Sequence, residues 1–356
     1  MKILFFDDGL NDLIKRENNL MLNSLEKAGA EIKLHTLNSS DAYRLKTSHF
    51  QVYDEFLNHA EIEKPDIAFI RGLSFPEYLL SELEVRKTEY KISFIFFLRE
   101  ISRSLARSNI MKKLISLPQI IPFQYSLIGQ MQDPPTTWIK TGGSKINYKI
   151  INEGLNKDLD KFNYDKEKAR DYFGIQKDKF VCLFFGRDDF TKGLDVLIDA
   201  FRENLNKNYL LYIQTSKSNR EETLGFDNVV FNNFFIEEGL VGKLFKACDL
   251  VVLPYRKEYE YSSTWVARLS IMAKCPIVVP NITPFNKLIN HFKVGVLFDV
   301  EDFSSLANSI KEARSNYDKI MNEADFDGYL DICPSWDELG EDIVSEWKKH
   351  LDKEDC

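Results

Sequence analysis

Short, continuously apolar runs recur along this chain and constrain its fold more than any other feature. The runs "KILFF" (2–6), "EIKLHTL" (31–37), "DIAFIRG" (66–72) and "ISFIFFL" (92–98) are separated by amphipathic or polar helix-like stretches. A strand apolar on both faces must be covered on both, as central parallel strands between helices are. Alternation of such strands with helices predicts an α/β domain. The pattern weakens over 124–145, where Asp133-Pro134-Pro135 and Thr141-Gly142-Gly143 interrupt it, and resumes at "INYKIINEGLN" (146–156). Residues 157–179 are polar and charged and read as a linker plus one helix. A second series follows: "FVCLFFG" (180–186), a helix over about 193–205, "YLLYIQ" (209–214), "NVVFNNF" (228–234), a helix near 237–247, "LVVLP" (250–254), a further helix, "PIVVP" (276–280), "GVLFD" (295–299) and a helix over about 302–316. The domain boundary is placed near 160–170.

The 356 residues suit two domains of ordinary size. A net charge of -8 argues against a general nucleic-acid binder, which carries a basic face. The five cysteines form no CxxC pair and read as buried free thiols of a reducing compartment. The histidines are scattered without an HExxH or a His/Cys cluster, so no metal site is expected. The apolar stretch of "MKILFFDDGL" is too short for a signal peptide, and Asp7 and Asp8 end it. No apolar run approaches the ~18 residues that span a membrane. A cytoplasmic chain is the expectation.

Near the C-terminus, Ser335 and Glu338 have capping-box spacing, and Trp336, Leu339, Ile343 and Trp347 form an apolar stripe that must dock on a core.

Ligands of doubly wound sheets bind outside the carboxyl ends of the strands, so the loops there hold the candidate functional residues. After "FVCLFFG" comes "RDDFTKG": Arg187 follows the strand, and Lys192 with Gly193 opens the next helix. Two cations beside a helix N-terminus suit a phosphate, because unpaired N–H groups and the macrodipole attract anions. A solvated loop whose cations pair with Asp188 and Asp189 fits the spacing equally well. After "LVVLP", the stretch "YRKEYEYSSTWVARLSIMA" opens its helix on Ser262, Ser263 and Thr264, below a loop that holds Glu258 and Glu260. One hydroxyl serves as an N-cap, and three in a row offer more than a cap requires, either as surplus or to hold phosphate.

These segments, in this order, resemble family 4 glycosyltransferases. "KIINEGLN" (149–156), "FGRDDFTKGLDVLIDAF" (185–201), "LFKACDLVVLPYRKEYEYSSTWVARLSIMAKCPIVVPNITPF" (244–285), "VGVLFDVEDFSSLANSI" (294–310) and "SWDELGEDIVSEW" (335–347) carry the resemblance over about 146–350. It implies a GT-B fold: two Rossmann-like doubly wound domains facing a central cleft, with the C-terminal helix packing back toward the N-terminal domain. The divisions are 1–163 on the acceptor side, 164–334 for the donor, and 335–356 for the returning helix. The resemblance implies that Arg187 and Lys192 bind the diphosphate of a UDP- or GDP-sugar, with the base near Phe234 and Phe235. It also implies that Ser262, Ser263 and Thr264 hold phosphate, with Glu260 as a nearby carboxylate. No metal or separate cofactor is implied, since cations and helix dipoles neutralise the leaving diphosphate. Such enzymes are usually retaining, the leaving phosphate oxygen taking the acceptor's proton. The family's two glutamates, seven residues apart across this helix, are replaced by Ser262 and Ser270. That departure motivates an alternative, a non-catalytic GT-B subunit that binds glycan or stabilises a partner enzyme.

On the N-terminal side, Asp8-Gly9 follows the first strand, Arg71-Gly72 ends the third run, and Arg99-Glu100 ends the fourth. Gly9 lets backbone approach a ligand or simply makes a turn. The charged residues are acceptor contacts or a mutual ion pair, and in an inverting mechanism Glu100 or Asp8 would serve as base. The basic stretch 99–113 reads as a solvated face or as a contact with anionic lipid at the inner face of a membrane. The expected partners are thus a nucleotide-sugar donor and a glycan or lipid-linked acceptor, in synthesis of bacterial surface polysaccharide or glycoconjugate.

Overall fold

The computed structural model describes residues 1–7, 12–36, 58–73, 92–97, 127–130, 148–151, 154–216, 218, 227–260 and 264–352. The chain divides into two compact units, Met1–Asn156 with Cys333–Cys356, and Lys157–Ile332.

The first unit is built on β1 (Lys2–Asp7), α1 (Asp12–Lys27), β2 (Glu31–Thr36), β3 (Ile67–Leu73), β4 (Ile92–Phe97), β5 (Leu127–Gln130) and β6 (Tyr148–Ile151). Its strands form one sheet in the order β2-β1-β3-β4-β5-β6, and every pairing is parallel. Strand β5 lies inside the stretch where the apolar pattern fades. Its sequence, Leu-Ile-Gly-Gln, has only two apolar residues, and its place is set by pairing with β4 and β6 on either side.

The second unit runs α2 (Lys166–Phe173), β7 (Phe180–Phe185), α3 (Leu194–Asn204), β8 (Tyr209–Thr215), β9 (Val229–Asn233), α4 (Glu238–Ala247), β10 (Leu250–Val252), α5 (Trp265–Met272), β11 (Ile277–Pro280), α6 (Phe285–Phe292), β12 (Gly295–Phe298), α7 (Phe303–Ser315), α8 (Tyr317–Glu323) and α9 (Phe326–Ile332). The strand order is β12-β11-β10-β7-β8-β9, again all parallel. Strands β8, β10 and β11 are buried along their whole length. This is what near-continuous apolar runs require when helices cover both faces. Asp165 starts α2 by accepting from Lys168 N, and Asp302 starts α7 by accepting from Ser304 N and Ser305 N.

After α9 the chain returns to the first unit as α10 (Trp336–Asp352). The capping box forms: Ser335 N donates to Glu338 Oε2 at 2.6 Å and Glu338 N to Ser335 Oγ at 3.2 Å. The stripe Trp336, Leu339, Ile343 and Trp347 is buried, and the Trp347 ring meets Phe69 edge-on at 5.2 Å.

An ionic network ties the amino edge of the second sheet. Asp249, just before β10, accepts from Arg170 Nη2 and from Val181 N at 2.6 Å each, and from Lys166 Nζ at 2.5 Å. Arg170 also donates to the carbonyls of Ala247 and Lys177, both at 2.9 Å. The network joins α2, β7 and β10. Beside it lie the buried thiols of Cys182, Cys248 and Cys275. Burial pushes the Cys275 thiol up to about 12, and pushes Cys182 and Cys248 well above the usual thiol range.

This edge can be probed in two ways. Asp249→Ala strands the buried Arg170 guanidinium and should cost about 3–5 kcal/mol, read as a lower urea midpoint at unchanged slope. A thiol whose folded pKa is raised contributes stability below its unfolded value, and that stability is lost as pH climbs toward the folded one. Thermal melts should therefore hold between pH 7 and 8 and drop progressively above about pH 9. The Cys275→Ala variant should drop less over the same range.

Candidate functional site

In the second sheet, β8 and β9 extend to one side of β7 while β10 to β12 extend to the other. The strand order reverses between β7 and β10, and the crevice at such a reversal, outside the carboxyl ends, is where open α/β sheets bind ligands. Two loops meet there: residues 186–193 after β7 and residues 253–260 after β10.

The first loop is a 3-10 turn, Phe190–Lys192, held by Asp189, whose Oδ1 accepts from Thr191 N at 3.1 Å and from Thr191 Oγ1 at 2.6 Å. Gly193 closes the turn at φ +62 and is followed at once by α3. A Cβ on Gly193 would lie 1.9 Å from the Pro254 carbonyl oxygen, so the two loops touch backbone to backbone. Arg256 sews them together. Its N donates to Thr191 O at 3.0 Å, its Nε to Phe190 O at 3.1 Å, and its Nη2 to Asp195 Oδ2, in the first turn of α3, at 2.5 Å. Its Nη1 lies 3.8 Å from Glu301 Oε1, and the guanidinium sits 4.3 Å from the centre of the exposed Phe190 ring.

Lys192 faces the second loop. Its Nζ lies 3.9 Å from the centre of the Tyr255 ring and 4.3 Å from that of Tyr259, and it donates to Tyr259 Oη at 3.1 Å. Tyr255 is 0% exposed and Tyr259 3%, and both lean on Phe285 at 5.9 and 6.3 Å.

Arg187, at the carboxyl end of β7, is exposed. The neighbouring carboxylates have other partners: Asp188 Oδ2 accepts from Ser218 Oγ at 2.7 Å, and Asp189 holds Thr191. Beyond β9, Phe234 is 58% exposed and Phe235 90%. Gln214 Nε2 donates to Phe234 O at 2.7 Å, and the Asn233 side chain exchanges hydrogen bonds with the Ser218 backbone at 2.9 and 2.7 Å. The two rings thus stand on a braced edge of the same carboxyl end.

One hydroxyl before the helix after β10 serves as its N-cap, as expected: the helix begins at Trp265, and Thr264 is in extended backbone with its Oγ1 accepting from Val266 N. The same hydroxyl lies 3.2 Å from Tyr255 Oη, so Thr264 caps the helix and braces the loop. Glu260 is half-exposed at the end of the turn Lys257–Tyr259. Ser270 is fully buried and donates to Cys275 O at 2.7 Å. Its hydroxyl closes the far end of α5.

Gly9, Glu100, Ser262 and Ser263 lie outside the described residues, as do Asp8, Arg99 and the stretch 99–113. Arg71 and Gly72 fall within β3. Among the described residues, no three His, Cys, Asp or Glu side chains gather in a way that could hold a metal ion, and no helix is long and apolar enough to cross a membrane. The roles of Tyr255, Arg256 and Tyr259 were not legible in the sequence. The one available signal was two tyrosines four apart around a cationic "RKE", on the strand-end side of the helix.

Residues 165–325 match the family model of the glycosyl transferases group 1. This stretch resembles a group 1 glycosyl transferase domain. An uncharacterized glycosyltransferase of Methanocaldococcus jannaschii, MJ1607, is 28% identical over 213 residues, which span 56% of this chain and 53% of that relative. The chain thus spans about half the length of the curated relative it matches. Among solved structures, sucrose-phosphate synthase from Thermosynechococcus elongatus superposes with a TM-score of 0.76 at 12% identity, over 99% of this chain and 100% of that one. Anabaena Alr3699/HepE in complex with UDP and glucose gives 0.70 at 16%, over 98% and 100%. The fold of the chain is GT-B, and the Lys192 loop lies at the strand-order reversal of its second sheet.

The close approach at Gly193 can be separated from its backbone angle. Gly174 has φ +65, and a Cβ placed there would meet nothing within 4 Å, so Gly174→Ala should cost about 1–2 kcal/mol from the left-handed angle alone. Gly193→Ala adds the clash with Pro254 and should cost roughly 1–3 kcal/mol more, measured as the difference between the two variants in urea unfolding.

Proposed function

We propose that the chain transfers a sugar from a nucleoside-diphosphate sugar, UDP- or GDP-linked, to a glycan or lipid-linked acceptor. The observation that carries this reading is the placement of Lys192, beside Gly193 and the start of α3, at the strand-order reversal of a group 1 glycosyl transferase domain. An ammonium held beside a helix N-terminus suits a diphosphate, whose departing charge it offsets. Arg187, exposed at the end of β7, reaches the same ligand as a second cation. UDP in the complex of the Anabaena relative supports a uridine donor. The exposed rings of Phe234 and Phe235 offer the base an apolar platform.

In this reading the two cations stabilise the leaving diphosphate without a metal. Its oxygen takes the acceptor's proton as the sugar passes over with retention, and Glu100 is the base if the outcome is inversion. Ser262, Ser263 and Glu260 line the phosphate edge, and Thr264 fixes the helix mouth behind them. Gly9 lets the N-terminal loop come close to the donor. The product belongs to surface polysaccharide or glycoconjugate synthesis, with 99–113 resting on the inner face of the membrane.

The test is a thermal-shift screen with UDP, GDP, ADP and their sugars. One of these should raise the melting temperature of wild type, and the Arg187→Ala/Lys192→Ala double variant should lose that shift, with affinity down at least about 100-fold for two charge-assisted contacts. No shift with any nucleotide overturns the transferase in favour of a non-catalytic GT-B subunit. A shift that survives the double substitution overturns the site.

A further inference from the structure

Lys192 must solve a problem that its proposed task creates. A lysine side chain is flexible, and fixing it costs rotamer entropy. Neutral aromatic faces orient a cation through their quadrupole and leave its charge in place.

The second loop supplies such faces. Tyr255 and Tyr259 are fully or nearly buried, their ring centres lie 4.3 Å apart, and the Lys192 ammonium lies within 4.3 Å of both. Tyr259 Oη adds an acceptor at 3.1 Å. The rings are themselves held from behind. Phe285, the first residue of α6, is 2% exposed and contacts both, and Tyr255 Oη meets Thr264 Oγ1, the cap of α5. The loop that presents them is locked to the lysine loop by Arg256 and by the Gly193–Pro254 approach. Lysine and rings therefore belong to a single braced assembly, although they lie far apart in sequence.

We infer that Tyr255 and Tyr259 are positioning residues, an aromatic cradle that presents the charged Lys192 ammonium to the diphosphate of the donor. The inference rests on the transferase reading and specifies how its main cation is held. The cradle acts through Lys192 rather than on the reacting atoms. Its loss should weaken diphosphate binding while an uncharged nucleoside, which does not meet the ammonium, binds as before.

The experiment uses the full chain as wild type, Tyr259→Phe and Tyr259→Leu, with UDP, GDP and ADP and the matching nucleosides as probes. One readout is independent of any ligand: the rate at which acetic anhydride modifies Lys192, followed by peptide mass spectrometry and normalised to the exposed Lys207. Acetylation of Lys192 should be slowest in wild type, faster by about threefold in Tyr259→Phe, which loses the hydroxyl acceptor, and faster by about tenfold in Tyr259→Leu, which loses the ring. Affinity for the nucleoside diphosphate that binds wild type should fall in the same order and by similar factors, with nucleoside affinity unchanged. Should Tyr259→Leu fail to melt cooperatively, the isosteric Tyr259→Phe decides alone through the same two readouts. Unchanged Lys192 reactivity in the variants overturns the cradle. A faster reaction with unchanged diphosphate affinity overturns its positioning role. An equal loss for nucleoside and diphosphate reduces it to loop packing and overturns it as well. If wild type binds none of the diphosphates, the transferase reading fails with it, whereas binding by wild type that is unaffected in the variants overturns the cradle alone.

Discussion

The backbone of Gly193 runs so close to the Pro254 carbonyl that a Cβ would fall 1.9 Å from its oxygen. This contact joins the loop after β7 to the loop after β10, at the point where the strand order of the second sheet reverses. Only glycine satisfies both the left-handed angle and the approach. Once the loops touch, Arg256 can reach Thr191, Phe190 and Asp195 at once, and Lys192 is brought over the tyrosines. The start of α3 is then fixed relative to the start of α5, with Thr264 as the cap between them. The candidate site is a consequence of this one close approach.

The two edges of the second sheet divide the work. At the amino edge, Asp249 gathers Arg170, Lys166 and the Val181 amide into one network, a single carboxylate shared by two cations. Such a network is costly to break and offers nothing to a ligand, because its donors and acceptors are already engaged. The carboxyl edge is built the other way. Its carboxylates are used within the protein, Asp188 on Ser218, Asp189 on Thr191 and Asp195 on Arg256, and each of these contacts shapes a loop. Apolar rings stay exposed there at Phe190, Phe234 and Phe235.

The sequence made the strand and helix framework readable, and for a physical reason. Strands such as Phe180–Phe185 and Tyr209–Thr215 are covered on both faces, so their apolar runs are continuous and stand out against amphipathic helices. Strand β5 escaped because four residues with a glycine and a glutamine carry no such pattern, and its neighbours alone define it. Lys192 with Gly193 was legible because both lie in one short loop, and a glycine after a cation at a strand end has local meaning. The cradle was not. Tyr255 and Tyr259 lie in a segment of mixed charge and read as polar loop, and their meeting with Lys192 depends on a tertiary contact that no local spacing encodes. Which hydroxyl caps the helix after β10 stayed open for a related reason. Ser262, Ser263 and Thr264 are all good caps by composition, and which one caps depends on where the backbone turns helical.

Ser270 decides how the far end of α5 is closed. The resemblance to family 4 enzymes aligns it with the second of two glutamates, and here the position is fully buried with its hydroxyl bound to the Cys275 carbonyl. A glutamate in that space would bury a carboxylate beside a carbonyl oxygen, and a buried charge is costly unless it is paired. The chain thus closes the end of α5 with a neutral group. At the opposite end of the same helix the cap is neutral as well: Thr264 Oγ1 accepts from Val266 N and lies 3.2 Å from Tyr255 Oη, so the start of α5 steadies one of the rings beside Lys192 without adding a charge.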